Sequence, residues 1–192
     1  MLGQQDAIVL GSSSPRRKEL LERAGFLVSV IAADVNEAVL FGETPNGYLE
    51  RVVEAKLVRV QLHTGPECIV VVADTSVLCD DVILGKPRTD ADAAAMLMSL
   101  AGRRHAVATR FAVARGPDVI AETHVTMVEF RALSAVEVER YIATGEGRDK
   151  AGSYAIQGRG AAFVRRIEGS YTNVVGLPLC EVIEAITGLR GH

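Results

Sequence analysis

An aspartate and a threonine directly follow an unbroken apolar stretch of this chain. Residues 68–73 read Cys-Ile-Val-Val-Val-Ala and are followed directly by Asp74 and Thr75. A mostly β-branched run of this kind is typical of a strand buried on both faces. In α/β sheets ligands bind beyond the carboxyl ends of such strands, so a carboxylate and a hydroxyl there can do chemistry. Lys86 follows in a Gly-Lys-Pro turn. A turn-capping aspartate and a solvated lysine are an equally open alternative at this point.

A Gly-Ser-Ser-Ser loop leads into a second candidate. Residues 7–10 predict a short buried strand and residues 16–24 a helix, with Ser14 as N-cap and Pro15 at the first position. The first turn carries three basic residues, Arg16, Arg17 and Lys18. Free N–H groups at a helix start attract phosphate, and the basic side chains add to that attraction. The alternative is an ordinary capped helix with solvated basic residues.

Two carboxylates, Asp34 and Glu37, lie three residues apart after a predicted strand over 27–31. Carboxylates this close in a loop can hold a hard cation such as Mg²⁺, although simple solvation is the commoner outcome.

Lys56 falls on the apolar side of a predicted helix that begins at Thr44 and Pro45. It shares one i, i+4 row with Tyr48, Val52 and Val60. Burying an unpaired ammonium is costly, so the side chain either extends to solvent or points into an anion-lined cleft. The pattern slightly favours the cleft.

Residues 145–160 are rich in glycine, which allows a backbone to approach a ligand closely. Gln157 in this segment can offer both a donor and an acceptor to the edge of a nucleobase. A flexible surface loop with a solvated glutamine is equally open on these residues alone.

Composition limits the classes of function. The chain has 192 residues, 48% hydrophobic and 23% charged, which fits a single domain over residues 1–192 with a sizeable core. A net charge of −3, few aromatic residues and no tryptophan argue against a nucleic-acid partner. Widely spaced Cys68, Cys79 and Cys180 predict reduced, buried thiols. Neither a leader-like segment nor an apolar run of membrane-spanning length is recognisable, so we expect a cytoplasmic protein without a membrane partner.

Strands and helices alternate early, and the middle of the chain has antiparallel character. The sequence predicts a hairpin about Asp80-Asp81, a strand over 119–130, another over 161–167 and a returning strand over 172–176. This pattern favours an α/β fold with a mixed sheet and two lobes.

Seven short motifs follow one another through nearly the whole chain. They are Leu-Gly-Ser-Ser-Ser-Pro-Arg-Arg (10–17), Asn-Glu (36–37), Glu-Ala-Lys (54–56), Ala-Asp-Thr (73–75), Gly-Lys-Pro (85–87), Asp-Lys-Ala-Gly-Ser-Tyr-Ala-Ile-Gln-Gly (149–158) and Gly-Ser-Tyr-Thr-Asn-Val-Val-Gly-Leu-Pro-Leu (169–179). In this order they make the sequence resemble the Maf proteins, also called septum formation inhibitors.

The resemblance implies an elongated mixed β-sheet flanked by helices, two lobes with a central nucleotide-binding cleft (Maf/ITPase-like), and a homodimer. It also implies a nucleoside triphosphate pyrophosphatase that releases a monophosphate and pyrophosphate and needs a divalent metal cation, Mg²⁺ or Mn²⁺. Ala-Asp-Thr together with Ile-Gln-Gly is similar to the subgroup acting on dTTP and UTP, with modified pyrimidine triphosphates as further candidates. The alternatives are a pyrophosphatase for purine or 7-methyl-GTP-type nucleotides and a non-hydrolytic regulator of septum formation.

The resemblance also implies a role for individual residues. Asp74 matches the proton acceptor. The positions linked to base choice are matched by Arg16, Thr75 and Gln157, and those lining the phosphate site by Ser12, Arg17, Lys56 and Lys86. Glu37, with Asp74, matches the position that holds the metal. The acidic residue usual before that glutamate is Asn36 here, which would weaken the metal site.

Overall fold

The structure is a computed structural model and describes residues 7–190. Its strands are β1 (Ala7–Leu10), β2 (Leu27–Val30), β3 (Ile69–Cys79), β4 (Val82–Leu84), β5 (Arg104–Arg115), β6 (Asp118–Phe130) and β7 (Val164–Glu168). Its α-helices are α1 (Pro15–Arg23), α2 (Pro45–Gln61), α3 (Asp90–Leu100), α4 (Ala135–Ile142), α5 (Tyr171–Val175) and α6 (Leu179–Gly188). Short 3₁₀ segments cover Ala151–Ser153 and Arg159–Phe163.

Within residues 7–190, seven strands form one sheet in the order β2-β1-β3-β5-β6-β7, with β4 paired to β3. β1 is parallel to β2 and β3, whereas β3–β4 and β6–β7 are antiparallel. The predicted mixed-sheet α/β fold is therefore confirmed. The nucleotide cleft and the single-domain organisation stay predictions.

The chain forms two compact units. Unit 1 contains the residues up to Asp74, Thr109–His124 and the residues from Gly176 onward. Unit 2 contains Thr75–Ala108 and Val125–Val175. None of the described helices is both long enough and apolar enough to span a bilayer.

In unit 1, helix α2 supplies three of the seven residues of a buried core cluster. This cluster consists of Val53, Leu57, Val60, Val70, Val72, Ala112 and Ala114. The loop after β1 lies directly on it, because a Cβ at Gly11 would stand 2.6 Å from side-chain atoms of Val60 and Val72. A side chain at position 11 would therefore push the following serines and arginines away from the core.

In unit 2, β3 turns back into β4 at the predicted hairpin. Asp80 and Asp81 both have positive φ values, 51° and 62°, which aspartate tolerates better than most residues. The glycine-rich segment packs on this hairpin, since Gly152 donates its N–H to the Gly85 carbonyl at 3.1 Å. A Cβ at Gly152 would stand 2.9 Å from the Val77 side chain, so the approach requires glycine.

The strand predicted over 172–176 is wrong, because residues 171–175 form helix α5. Asn173 is fully buried and donates its side-chain N–H groups to the Val107 carbonyl and the Thr126 hydroxyl, both at 3.0 Å. Its backbone N–H donates to the Ser170 hydroxyl at 3.3 Å. These tertiary contacts outweigh the strand preference of the two valines that follow.

Three smaller expectations also need correction. The strand predicted over 161–167 begins only at Val164, after a 3₁₀ segment. All three cysteines are free, but only Cys79 is buried, because Cys68 precedes β3 and Cys180 lies on the exposed side of α6. Ser14 occupies the N-cap position of α1 without a capping side-chain bond, and its N–H instead donates to the Ser12 hydroxyl.

His105 lies in the aromatic core of unit 2. Its ring contacts Phe130 edge-on and shares a 2.8 Å hydrogen bond with the Tyr154 hydroxyl through Nε2. Nδ1 is buried without a hydrogen-bond partner among the described residues. Burial lowers the pKa of His105 to about 4, so the folded protein keeps this ring neutral near neutral pH.

This burial predicts that the protein loses stability in mild acid. The unfolded chain takes up a proton on this histidine below its ordinary pKa of 6.5, whereas the folded chain does so only near 4. The contribution is therefore complete above pH 6.5 and is lost as the pH falls towards 4. We expect the free energy of unfolding in urea to fall by about 2 kcal/mol from about pH 7.5 to about pH 5. A His105→Gln variant should lose most of this slope, and an equal slope in both proteins would contradict the prediction.

Candidate active site

The polar residues of unit 1 meet at the carboxyl ends of parallel strands. Leu10 at the end of β1 pairs with Val30 in β2 and with Val71 in β3. The loops after β1 and β2 therefore leave the same edge of the sheet, and Asp74 lies three residues beyond Val71. The expectation that the strand ends at Ala73 is wrong, because β3 continues through Asp74 to Cys79 and pairs there with β4. The parallel register nevertheless brings Asp74 close to the loops that follow β1 and β2.

Lys56 is the centre of this group. Its Nζ lies 2.7 Å from Asp74 Oδ1 and 2.7 Å from Glu37 Oε1. The lysine is only 4% exposed, while the Glu37 side chain is 42% exposed. The predicted inward orientation of Lys56 is thus correct, and its charge is met by two carboxylates. A buried ammonium with two charge-assisted hydrogen bonds fixes both carboxylates in place.

Tyr48 is a member of this group that the sequence reasoning missed. Its side chain is buried, and its hydroxyl faces the negative charges of Asp74 and Glu37. Burial raises the pKa of Tyr48, and the nearby negative charges of Asp74 and Glu37 raise it further. The phenol therefore stays protonated and can donate to the Asp74 carboxylate. The i, i+4 row that contains Lys56 also contains Tyr48, which is the sequence signal that could have found it.

Arg17 provides a positive charge beside the carboxylates, and Ser12 helps to hold it in place. The buried guanidinium donates from Nε to the Gly176 carbonyl at 2.7 Å and from Nη1 to the Ser12 hydroxyl at 3.1 Å. Burial lowers the pKa of Arg17, and the charge of Asp74 works in the opposite direction. Arg16 is half-buried on α1. The structure thus gives Ser12 a holding role towards Arg17.

Arg51 organises the loop that carries Glu37 and was also missed. Its guanidinium makes a two-pronged pair with Glu43, at 2.6 and 2.8 Å, which lowers the pKa of Glu43 to about 2. It also donates to the carbonyls of Asn36 at 3.1 Å and Ala38 at 2.9 Å. These carbonyls lie on either side of Glu37, so one side chain fixes the backbone on both sides of it.

The donor set can be tested against the divalent cation that the resemblance implies. Asp74 and Glu37 both present an oxygen to one cationic centre, the Lys56 ammonium. Residues 7–190 contain no cluster of three or more His, Cys, Asp or Glu side chains that could hold a metal ion. Mg²⁺ is commonly held by one or two carboxylates, with waters and substrate phosphates completing the shell. The residues present therefore fit a cation that arrives with a phosphate substrate.

The remaining predicted residues belong to unit 2. Thr75 directly follows Asp74 on β3 and is half-buried. Lys86 and Gln157 are exposed. The bond between Gly152 and Gly85 joins the glycine-rich segment to the turn that carries Lys86. The structure therefore connects the segments of Lys86 and Gln157, which are far apart in sequence.

Comparison with known proteins assigns this chain to a family. The description "Maf-like protein" fits residues 7–189. A dTTP/UTP pyrophosphatase of Geotalea uraniireducens (strain Rf4) is 47% identical over 97% of this chain and 96% of its own. Proteins of the same name from Geobacter sp. (strain M21) and Acinetobacter baylyi are 48% and 44% identical, covering 95% and 94% of this chain and 95% and 98% of their own.

Among solved structures, a HAM1 protein from Coxiella burnetii covers 95% of this chain and 99% of its own, with a TM-score of 0.49 and 14% identity. The match of the family over residues 7–189 and the identity to relatives along almost their whole length agree with the motifs. The chain belongs to the Maf-like protein family.

Proposed function

We propose that this protein is a nucleoside triphosphate pyrophosphatase that hydrolyses dTTP and UTP to the monophosphate and pyrophosphate. The observation that carries the proposal is the buried Lys56 held between Asp74 and Glu37. It occurs in a chain that is 47% identical to a dTTP/UTP pyrophosphatase over 97% of its length. A protein that only bound nucleotides would not need a buried carboxylate that is held in place by the Lys56 ammonium.

Asp74 is the general base in this proposal. It takes a proton from a water molecule whose oxygen forms a bond to the α phosphorus. The bond from that phosphorus to the oxygen shared with the β phosphate breaks, and pyrophosphate leaves with its electron pair. Lys56 holds the carboxylate in one orientation by a hydrogen bond, and the protonated Tyr48 hydroxyl lies beside it.

The cationic groups of unit 1 offset the charge of the triphosphate. Arg17 is fixed by Ser12 and the Gly176 carbonyl, so its charge needs no reorganisation when phosphate binds. Arg16 and the N–H groups at the start of α1 add to the same field. Lys86 in unit 2 is a further phosphate-binding lysine on the strength of the family resemblance.

Glu37 and Asp74 are the residues that would hold the divalent cation, Mg²⁺ or Mn²⁺. When bound, such a cation neutralises developing negative charge on phosphate oxygens. Arg51 supports this role, because it fixes the backbone on both sides of Glu37.

Base choice is assigned to Arg16, Thr75 and Gln157. A glutamine amide offers one acceptor and two donors, which matches the N3–H and carbonyl edge shared by thymine and uracil. This shared edge explains how one protein accepts both dTTP and UTP.

A panel of triphosphates tests the proposal. Purified protein with Mg²⁺ or Mn²⁺ should release pyrophosphate from dTTP and UTP with kcat/KM at least about tenfold above that for dATP, dGTP and 7-methyl-GTP. Chelation of the metal with EDTA should abolish the activity. A preference for purine or 7-methyl-GTP substrates would overturn the substrate assignment, and binding without hydrolysis would overturn the reaction.

A cytoplasmic location and a homodimer belong to the proposal as well. The three free cysteines support a reducing compartment.

A further inference from the structure

One carboxylate holds the glycine-rich segment from within. Glu146 accepts hydrogen bonds from the N–H of Arg159 at 2.9 Å and the N–H of Gly160 at 3.0 Å. It also accepts from the Tyr141 hydroxyl at 2.9 Å. Hydrogen bonds to an ionised carboxylate are stronger than hydrogen bonds between neutral groups. Several such bonds together fix the positions of the carboxylate and of its donors.

Tyr141 extends this network to the other side of the segment. Its buried hydroxyl accepts the N–H of Ala155 at 3.0 Å while it donates to Glu146. The two side chains therefore tie down Ala155 at one end and Arg159 at the other. The residues between these anchors are 156–158.

Gln157 lies at the tip of the turn between the anchors. The turn is closed by the N–H of Gly158, which donates to the Ala155 carbonyl at 3.2 Å. Ile156 is buried, whereas Gln157 is exposed. A Cβ at Gly158 would stand 2.3 Å from a Glu146 oxygen, so the turn lies directly against the carboxylate. The exposed side chain of Gln157 therefore extends from a turn whose backbone is held on both sides.

The charge state of Glu146 suits this holding role. Its partial burial opposes ionisation, but the N–H groups of Arg159 and Gly160 and the Tyr141 hydroxyl outweigh it. The pKa of Glu146 is therefore held below its ordinary value, and the carboxylate is charged near neutral pH.

We propose that Glu146 and Tyr141 are positioning residues for base selection, because they fix the turn that presents Gln157 to the nucleobase. This inference rests on the proposed function, in which Gln157 reads the base. A hydrogen bond weakens steeply with distance and angle, so an amide on a loose turn pairs poorly with every base and discriminates less. Neither residue touches the substrate in this role.

The test compares four variants with the wild type on the triphosphate panel. Glu146→Gln keeps the shape of the side chain but turns an NH₂ group towards a backbone N–H. Tyr141→Phe removes one hydroxyl and tests the same network should Glu146→Gln fold poorly. Gln157→Ala removes the proposed base reader. Glu139→Gln is the matched control, since this glutamate is exposed on the same helix as Tyr141.

We expect Glu146→Gln and Tyr141→Phe to reduce the ratio of kcat/KM for dTTP over dATP by about tenfold, with KM rising more than kcat falls. Gln157→Ala should reduce the ratio at least as much, and Glu139→Gln should leave it unchanged. Amide hydrogen exchange without nucleotide gives a second readout. Exchange at Arg159 and Gly160 should become about tenfold faster in Glu146→Gln.

The possible results distinguish the positioning role of Glu146 and Tyr141 from base reading by Gln157 and from pyrophosphatase activity itself. An unchanged substrate ranking in both Glu146→Gln and Tyr141→Phe, alongside a changed ranking in Gln157→Ala, would overturn the positioning role and leave the proposed function intact. An unchanged ranking in Gln157→Ala would overturn both base reading and its positioning while pyrophosphate release from dTTP continued. Absence of pyrophosphate release by the wild type would overturn the proposed function itself.

Discussion

Replacement of Asp74 by asparagine is expected to lower kcat for dTTP hydrolysis by about 10³-fold, because general-base catalysis contributes about 10²–10⁴-fold to such reactions. An amide cannot take the proton of the attacking water, yet it keeps the size of the carboxylate. Its oxygen can still accept the hydrogen bond that the Lys56 ammonium now donates to Asp74 at 2.7 Å. The loss should therefore appear in turnover and much less in folding. Pyrophosphate release under single-turnover conditions measures the chemical step directly.

Two controls keep this result interpretable. Asp118→Asn makes the same chemical change at the exposed first residue of β6 in unit 1 and should leave kcat unchanged. Thermal unfolding and binding of a non-hydrolysable dTTP analogue should show that Asp74→Asn still folds and binds. A variant that keeps kcat within about tenfold of the wild type would rule out Asp74 as the base.

Local sequence pattern was enough to predict that Asp74 and Lys56 belong to one group of buried polar side chains, the proposed catalytic centre. The apolar run before Asp74 predicted a core strand, and the i, i+4 row of Lys56 predicted its inward orientation. Both predictions come from the pattern of apolar residues along the chain. This pattern is informative because it reports which face of a helix or strand is buried. The pairing of the two side chains then follows from the cost of burying an ammonium alone.

The supporting contacts could not be predicted in the same way. Arg51 fixes the carbonyls on both sides of Glu37, and Glu146 holds Arg159 across thirteen residues. Neither residue occupies an unusual position in the pattern of its own helix or loop. Such contacts depend on how distant segments meet, and the failed strand over 172–176 has the same cause. There, the tertiary bonds of Asn173 decided the local structure.

Replacement of Lys56 by methionine is expected to harm stability and activity together. The change removes the ammonium and leaves Asp74, whose side chain is 11% exposed, facing Glu37 without a cation between them. Removing one partner of a buried ion pair typically costs about 3–5 kcal/mol, and the exposure of Glu37 places the expected loss near the lower end, about 3 kcal/mol. The value of kcat/KM for dTTP should fall by about 10²-fold or more, because a preorganised positive charge beside the phosphates is lost. Urea unfolding at neutral pH and the pyrophosphate assay measure the two effects.

The same variant tests whether Glu37 and Asp74 can share a divalent cation. Two carboxylates that have lost their ammonium bind a cation more strongly, so Mg²⁺ without nucleotide should raise the melting temperature of Lys56→Met more than that of the wild type. Glu37→Gln added to Lys56→Met removes one of the two carboxylates, which relieves the repulsion and abolishes the extra response to Mg²⁺. The double variant should therefore be more stable than Lys56→Met in the absence of metal. Equal responses to Mg²⁺ in all three proteins would show that the two carboxylates do not form a joint cation site, and the metal would then need other ligands.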